Sequence, residues 1–116
     1  LSQPPAIFQV NWFRRDDQGG FLWPGFGENL RVLAWIVDRC RGKGDAVQTP
    51  VGNLPGPESI DLNGLEQAPD METLLAFDAD GWRQELSEMT NFLREFEPRV
   101  PEALHRQLGQ ASAALG

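Results

Sequence analysis

The sequence predicts a mixed α/β (α+β) fold, with a strand pair and a glycine- and aromatic-rich loop first and helices last. Three observations carry that prediction. Residues 6–13 (AIFQVNWF) are β-branched and aromatic, glycine and proline interrupt a run of aromatic rings between 19 and 27, and helical spacing of apolar residues sets in after Glu28. The length of 116 residues suits one domain, and 41% hydrophobic and 23% charged residues are ordinary for a chain that buries a core. The single cysteine, Cys40, excludes an intramolecular disulfide, and the single histidine, His105, excludes the usual zinc ligand sets. No apolar run approaches the roughly 18 residues of a membrane span, and no signal-peptide pattern opens the chain. The expectation is a soluble, cytoplasmic, acidic segment.

Each element has its own local reason. Pro4 and Pro5 bar a helix at the start, so the chain enters extended. Ala6–Phe13 reads as a strand, Arg14–Gly20 as a polar turn, and Phe21–Trp23 as a short return strand that Pro24 stops. Glu28–Arg41 is the clearest helix. Leu30, Leu33, Val37 and Cys40 are spaced 3, 4 and 3 apart with Ile36 beside them, and Gly42 offers the stop. Ala46–Leu54 reads as a strand and loop punctuated by Pro50 and Gly52, and residues 55–69 as an irregular surface connection. A helix capped by Asp78 or Asp80 runs to about Phe96, with Trp82, Leu86, Met89, Leu93 and Phe96 on one stripe. Pro101 opens a last helix carrying Leu104, Leu108, Ala111 and Leu115. Three regions result: residues 1–44 with strand, loop and helix, the connection 45–69, and the acidic helices of 70–116.

Charge and aromatic content divide along the same line. Residues 1–44 carry a net charge of +2 and residues 45–116 a net charge of −9, within a total of −7. That balance speaks against general affinity for nucleic acid. Nine of the ten basic residues are arginine, suited to bidentate contacts with phosphate or carboxylate, which leaves a small anionic ligand near the first third. Seven of the eleven aromatic residues fall between positions 8 and 35. Gly19, Gly20, Pro24, Gly25 and Gly27 make the backbone turn there, so several rings converge from a loop.

Familiar catalytic motifs are missing. Gly42-Lys43-Gly44 has the letters of a phosphate-binding loop without its spacing, Gly25-Phe26-Gly27 lacks the third glycine of a dinucleotide fingerprint, and no serine occupies a nucleophile elbow. His105 reads as a solvent-exposed helix residue and Cys40 as part of the packed stripe. Asp16-Asp17 offers oxygen ligands, but paired acids are also ordinary turn residues. The segment that stands apart is Phe21-Leu22-Trp23-Pro24-Gly25-Phe26-Gly27-Glu28-Asn29. A planar heterocycle needs rings to stack on and an amide to match its edge. Phe13, Phe21 and Phe26 supply rings, Asn29 both donates and accepts, and the N–H groups freed at Gly25 and Gly27 add donors. The same pattern also fits an aromatic minicore that closes the loop onto the helix with Asn29 as its N-cap.

Asn11-Trp12-Phe13-Arg14, the string Phe21 to Asn29, and Arg31-Val32-Leu33 closely resemble the C-terminal part of the GTP-dependent phosphoenolpyruvate carboxykinases. The likeness continues more loosely through Thr49-Pro50-Val51-Gly52, Leu62-Asn63-Gly64-Leu65 and the terminal helices, so it covers nearly the whole chain. Departures are mild: Gln9 where the family often has histidine, Arg15 for a common lysine, and Leu30 after the asparagine.

The resemblance implies part of a C-terminal nucleotide-binding lobe in which guanine lies between Phe13 and Phe26, with Phe21 closing an edge. Asn29 then bonds the base, Phe26, Gly27, Glu28 and Asn29 form the nucleotide-contacting string, and Trp12 supports the pocket. It implies interconversion of oxaloacetate plus GTP with phosphoenolpyruvate, GDP and carbon dioxide, as in gluconeogenesis, with Mn2+ or Mg2+, in a cytoplasmic monomer. The family's phosphate loop, metal ligands and oxaloacetate-binding arginines lie upstream of the matching segment. No catalytic or metal residue is therefore expected here, and the 116 residues alone are expected to be inactive. The alternative is a non-catalytic purine-nucleotide-binding or interaction domain. A continuous upstream reading frame carrying a phosphate-binding loop separates the two.

Overall fold

In the computed structural model, which describes residues 2–116, the chain divides into two compact units. The first runs to Val47 and resumes over Asn53–Ala76, and the second takes Gln48–Gly52 and Phe77–Gly116. Among the described residues the architecture is helical with one two-stranded sheet, a mixed α and β fold as expected.

Helix α1 (Asn29–Cys40) organises the first unit. Gly25 precedes it at φ +126° and ψ −175°, a conformation that only glycine adopts without strain, and Phe26–Glu28 form a single 3-10 turn into the helix. Gly42 at φ +71° follows the last turn, as the sequence predicts. The buried face is not the predicted one. Trp35 is buried with Val32 and Ile36 packed beside it, while Leu30, Leu33, Val37 and Cys40 lie on the opposite side in solvent. This helix has two apolar faces, and burial goes to the one carrying the indole. Trp35 brings the larger apolar area, and its Nε1 finds an acceptor in the Asp45 carbonyl at 3.0 Å.

The predicted strand Ala6–Phe13 carries no ladder. A strand exists only through a hydrogen-bonded neighbour, and among the described residues none pairs with it. Ile7 is accordingly 91% exposed, while Phe8 sets its ring edge-on to Trp35 at 6.2 Å. What survives of the strand pair is one antiparallel bridge, Arg15 to Phe21, reinforced by the Leu22 amide donating to the Arg14 carbonyl at 2.9 Å. The expected sheet character appears instead downstream. Strands β1 (Val47–Thr49) and β2 (Gly52–Leu54) pair across Pro50-Val51.

Residues 55–69 are irregular, yet they deliver Ile60 and Leu62 to the core. A short helix that the sequence pattern does not predict, α2 (Met71–Leu75), follows with Asp70 as its N-cap. The core of this unit is Trp23, Trp35, Ile60 and Met71, ringed by Trp12, Val32, Ile36, Leu62, Leu74 and Leu75. Arg14 reaches across the sequence to this helix, donating to the carbonyls of Leu74 (2.8 Å) and Ala76 (3.1 Å) and so satisfying its C-terminal end.

The second unit is built on α3 (Ala79–Arg94) packed with α4 (Glu102–Ala114). Asp78 caps α3 by accepting from the Gly81 amide at 3.0 Å, and Pro101 sits just before α4 rather than within its first turn. Leu86 and Leu115 are its buried residues, and Arg83 donates to the Leu115 carbonyl at 2.7 Å. His105 is half-buried with Nε2 at 2.9 Å from a Glu97 carboxylate oxygen, rather than free in solvent. No helix among the described residues is long and apolar enough to cross a membrane.

Candidate functional site

The candidate residues occupy two short stretches of the first unit, and each is shaped by its own turn. The first is the loop from Asn11 to Phe21. Asn11 Oδ1 accepts from the Phe13 amide at 2.9 Å, which bends the chain and turns Phe13 outward. Asp16 Oδ1 accepts from the amides of Gln18 (2.9 Å) and Gly20 (2.8 Å), closing the polar turn from inside. A Cβ on Gly20 would meet the Asp16 carboxylate at 2.9 Å, which explains the glycine there. The carboxylate of Asp16 is therefore spent on its own loop. The closed turn brings Phe13 and Phe21 together, their rings 6.2 Å apart at 61°.

Phe21 has an additional neighbour. The guanidinium of Arg15 lies 4.2 Å from its ring centroid and also donates to the Gly19 carbonyl at 2.7 Å. Phe21 thus has a cation over one face and Phe13 beside the ring, and still stays 55% exposed. Sequence reasoning misses Arg15 because its contact depends on the register of the 15–21 bridge, which composition does not reveal.

The second stretch is the turn from Gly25 to Asn29. Phe26 is 91% exposed and forms no ring pair among the described residues, so the structure does not bring it against Phe13 or Phe21. Gly27 lies open, with no atom within 4 Å of a built Cβ. Glu28 holds the Arg31 guanidinium at 2.6 Å, and Arg31 in turn donates to the carbonyls of Asp61 (2.8 Å) and Asn63 (3.0 Å). In this structure Glu28 braces the helix start against the 61–63 loop.

Asn29 is the first residue of α1 and not its N-cap. Its Oδ1 accepts from Trp23 Nε1 at 2.9 Å, a bond between residues six apart that the sequence pattern does not reveal. Trp23 is 5% exposed and its ring lies 6.3 Å from that of Trp12, the neighbour of Phe13. Trp12 and Trp23 thereby link the two stretches. Phe13 and Phe21, 72% and 55% exposed, stand outside while these indoles pack inside. A shallow recess of about 330 Å³ lies alongside, lined by Leu30, Arg31, Ala34, Trp35, Asp38, Ser59 and Asp61, none of them a predicted site residue. Among the described residues no group of three or more His, Cys, Asp or Glu side chains stands close enough to hold a metal ion.

This geometry can offer ring faces and one amide to a flat ligand. Residues 1–114 match the family described as phosphoenolpyruvate carboxykinase C-terminal P-loop domain. The chain is similar to the phosphoenolpyruvate carboxykinase (GTP) of Paenarthrobacter aurescens, 46% identical over 113 residues, covering 97% of this chain and 19% of that protein. It is 48% identical over 101 residues to the protein of the same name from Corynebacterium kroppenstedtii, covering 86% and 16%. The Chlamydia trachomatis protein is 43% identical over 116 residues, covering 97% and 19%. The chain thus spans less than a fifth of the length of these relatives.

Proposed function

The chain belongs to the GTP-dependent phosphoenolpyruvate carboxykinase family, in its C-terminal P-loop domain, and on that premise we propose that it supplies the guanine-binding end of such an enzyme. The observation that carries the proposal is the occurrence of exposed rings and a fixed amide within residues 13–29. Phe13, Phe21 and Phe26 keep large apolar surfaces in water while Asn29 is held by a buried indole. Exposed aromatic surface of this kind is what a stacked base covers. Phe13 and Phe26 take the faces of the base, Phe21 its edge, and Gly27, Glu28 and Asn29 the adjoining contacts, with Trp12 behind.

In the whole enzyme the reaction is the interconversion of oxaloacetate and GTP with phosphoenolpyruvate, GDP and carbon dioxide. Mn2+ or Mg2+ supplies charge neutralisation for the transferred phosphoryl group when bound. The acidic residues described in this chain do not gather into a ligand set, so no step is routed through a metal here. The role of these residues is to seat the base and thereby position the phosphates for groups elsewhere in the enzyme. The 116 residues form one C-terminal segment of the GTP-binding lobe, in a cytoplasmic, monomeric enzyme, and catalyse nothing alone. The rest of the enzyme chain covers the outer face of α1 (Leu30, Leu33, Val37) and pairs with residues 6–13, where Ile7 is otherwise left in water.

The test is Asn29→Ala in the full-length enzyme. GTP use falls about 10- to 100-fold more than ATP use, the range expected when one hydrogen bond to a base edge is removed. Equal losses for both nucleotides refute base reading by Asn29.

A further inference from the structure

We propose that Trp23 is a positioning residue that sets purine selectivity by fixing which end of the Asn29 amide faces the ligand. The inference rests on the base-reading role of Asn29 proposed above and adds how that reading acquires its sign. A primary amide is ambiguous, since one branch accepts and the other donates. The indole N–H can only donate, so the branch bonded to Trp23 Nε1 at 2.9 Å is the oxygen. The planar amide then turns Nδ2 away from Trp23, and among the described residues nothing accepts a hydrogen bond from it. A flipped amide would set two N–H donors against a third and leave the indole unsatisfied.

The indole itself cannot turn to accommodate a flip. Trp23 is buried with Trp35, Ile60 and Met71, and its ring is flanked by that of Trp12. The orientation of the Asn29 amide is therefore imposed from the core and exists before any ligand arrives. What it presents is a donor. A purine with a carbonyl at C6 offers the matching acceptor, and a purine with an amino group at C6 offers a second donor. Selectivity for the 6-oxo over the 6-amino base then resides in a residue that never touches the nucleotide.

The test measures dissociation constants of GDP and ADP by calorimetry on the full-length enzyme. Trp23→Phe keeps an aromatic ring in the core and removes the N–H, which frees the amide to present either branch. The preference for GDP over ADP falls at least tenfold. Trp35→Phe, an equivalent loss in the same core whose indole bonds the Asp45 carbonyl instead, leaves the preference unchanged. Equal weakening of both nucleotides by Trp23→Phe, or a matching drop in preference with Trp35→Phe, overturns the proposal in favour of a packing role.

Should Trp23→Phe fail to fold, benzothienylalanine at position 23, isosteric with tryptophan but lacking the N–H, decides the role of the indole, and Asn29→Asp tests the sign of the amide it orients. The carboxylate still accepts from the indole but faces the ligand with a second acceptor, so preference shifts toward ADP. Retained GDP preference in Asn29→Asp overturns the proposal. The Asn29→Ala result separates the two readings. Lost preference in Asn29→Ala with intact preference in Trp23→Phe leaves base reading standing and removes Trp23 from it.

Discussion

Gly25 and Gly27 lie two residues apart in the same turn, and alanine at each should move stability in opposite directions. At Gly25, φ is +126° and ψ −175°, and a Cβ would meet no atom within 4 Å. The entire cost of Gly25→Ala is therefore backbone strain, about 1–3 kcal/mol for a residue forced into a glycine-only region. At Gly27 the space is equally open, but the residue is the middle of a 3-10 turn and its φ is not positive. Alanine there removes freedom from the unfolded chain and adds about 0.4–1 kcal/mol of stability. The predicted gap between the two variants is thus about 1.4–4 kcal/mol, although both added methyl groups point into open space. Urea unfolding followed by tryptophan fluorescence reads it directly, since Trp23 and Trp35 report on the core. Two variants within about 0.5 kcal/mol of each other, or Gly27→Ala as the weaker, would show that the strain at Gly25 is not what shapes the turn.

Other perturbations test other joints. Arg14→Ala removes both guanidinium bonds to the end of α2 and should cost about 2 kcal/mol in the same unfolding assay, with Arg14→Lys recovering less than half because an ammonium cannot fork. Asp78→Ala deletes the cap of α3 and should cost about 1 kcal/mol, read as lost helical ellipticity on heating. Asp70 accepts from the hydroxyl (2.7 Å) and the amide (3.1 Å) of Thr73, which hold its carboxyl below the usual carboxylate range. Its contribution is complete above the ordinary unfolded pKa of about 4 and is lost as pH falls through the lower folded value. An acid titration of helicity should therefore shift in Asp70→Asn, which keeps a neutral cap, and identical titration curves would exclude Asp70 from the acid response. Leu33→Lys with Val37→Lys should change the stability of this chain by less than about 0.5 kcal/mol, because both side chains are already in water, yet lower the soluble yield of the full-length enzyme.

The helices were legible because their causes are local. Asp78 before Gly81, the stop at Gly42 and the 3.6-residue spacing around Leu86 act within a few residues, and the helices stand within one or two residues of expectation. The short α2 was missed because five residues give no period to detect, and only its Asp70 cap betrays it. Choosing the buried face of α1 needed more than period. Leu30, Leu33 and Val37 make as good a stripe as Val32, Trp35 and Ile36, and the choice turns on where Asp45 offers a carbonyl to an indole. Residues 6–13 have strand composition but lack a neighbour among the described residues, and a ladder cannot be formed by composition alone. At the candidate site, composition located the rings and the amide, whereas the Arg15 contact with Phe21 and the Trp23 bond to Asn29 depend on three-dimensional register.

The two aromatic types in the first unit divide the labour for a physical reason. Tryptophan carries a donor as well as a large apolar area, so it is stable inside only where an acceptor waits, and both buried indoles have one, Asp45 for Trp35 and Asn29 for Trp23. Phenylalanine carries no hydrogen-bonding group that needs a partner, so Phe13, Phe21 and Phe26 can stand at the surface for a ligand to cover. The Asp45 acceptor is a backbone carbonyl, whose orientation is set by the chain and not by the indole. The Asn29 acceptor is a side-chain amide, and satisfying the indole with it necessarily points a donor the other way. Substituting Asn29 therefore acts on the core and on the amide presented at the surface at once. This is why binding ratios between nucleotides, rather than stability or affinity alone, isolate its role.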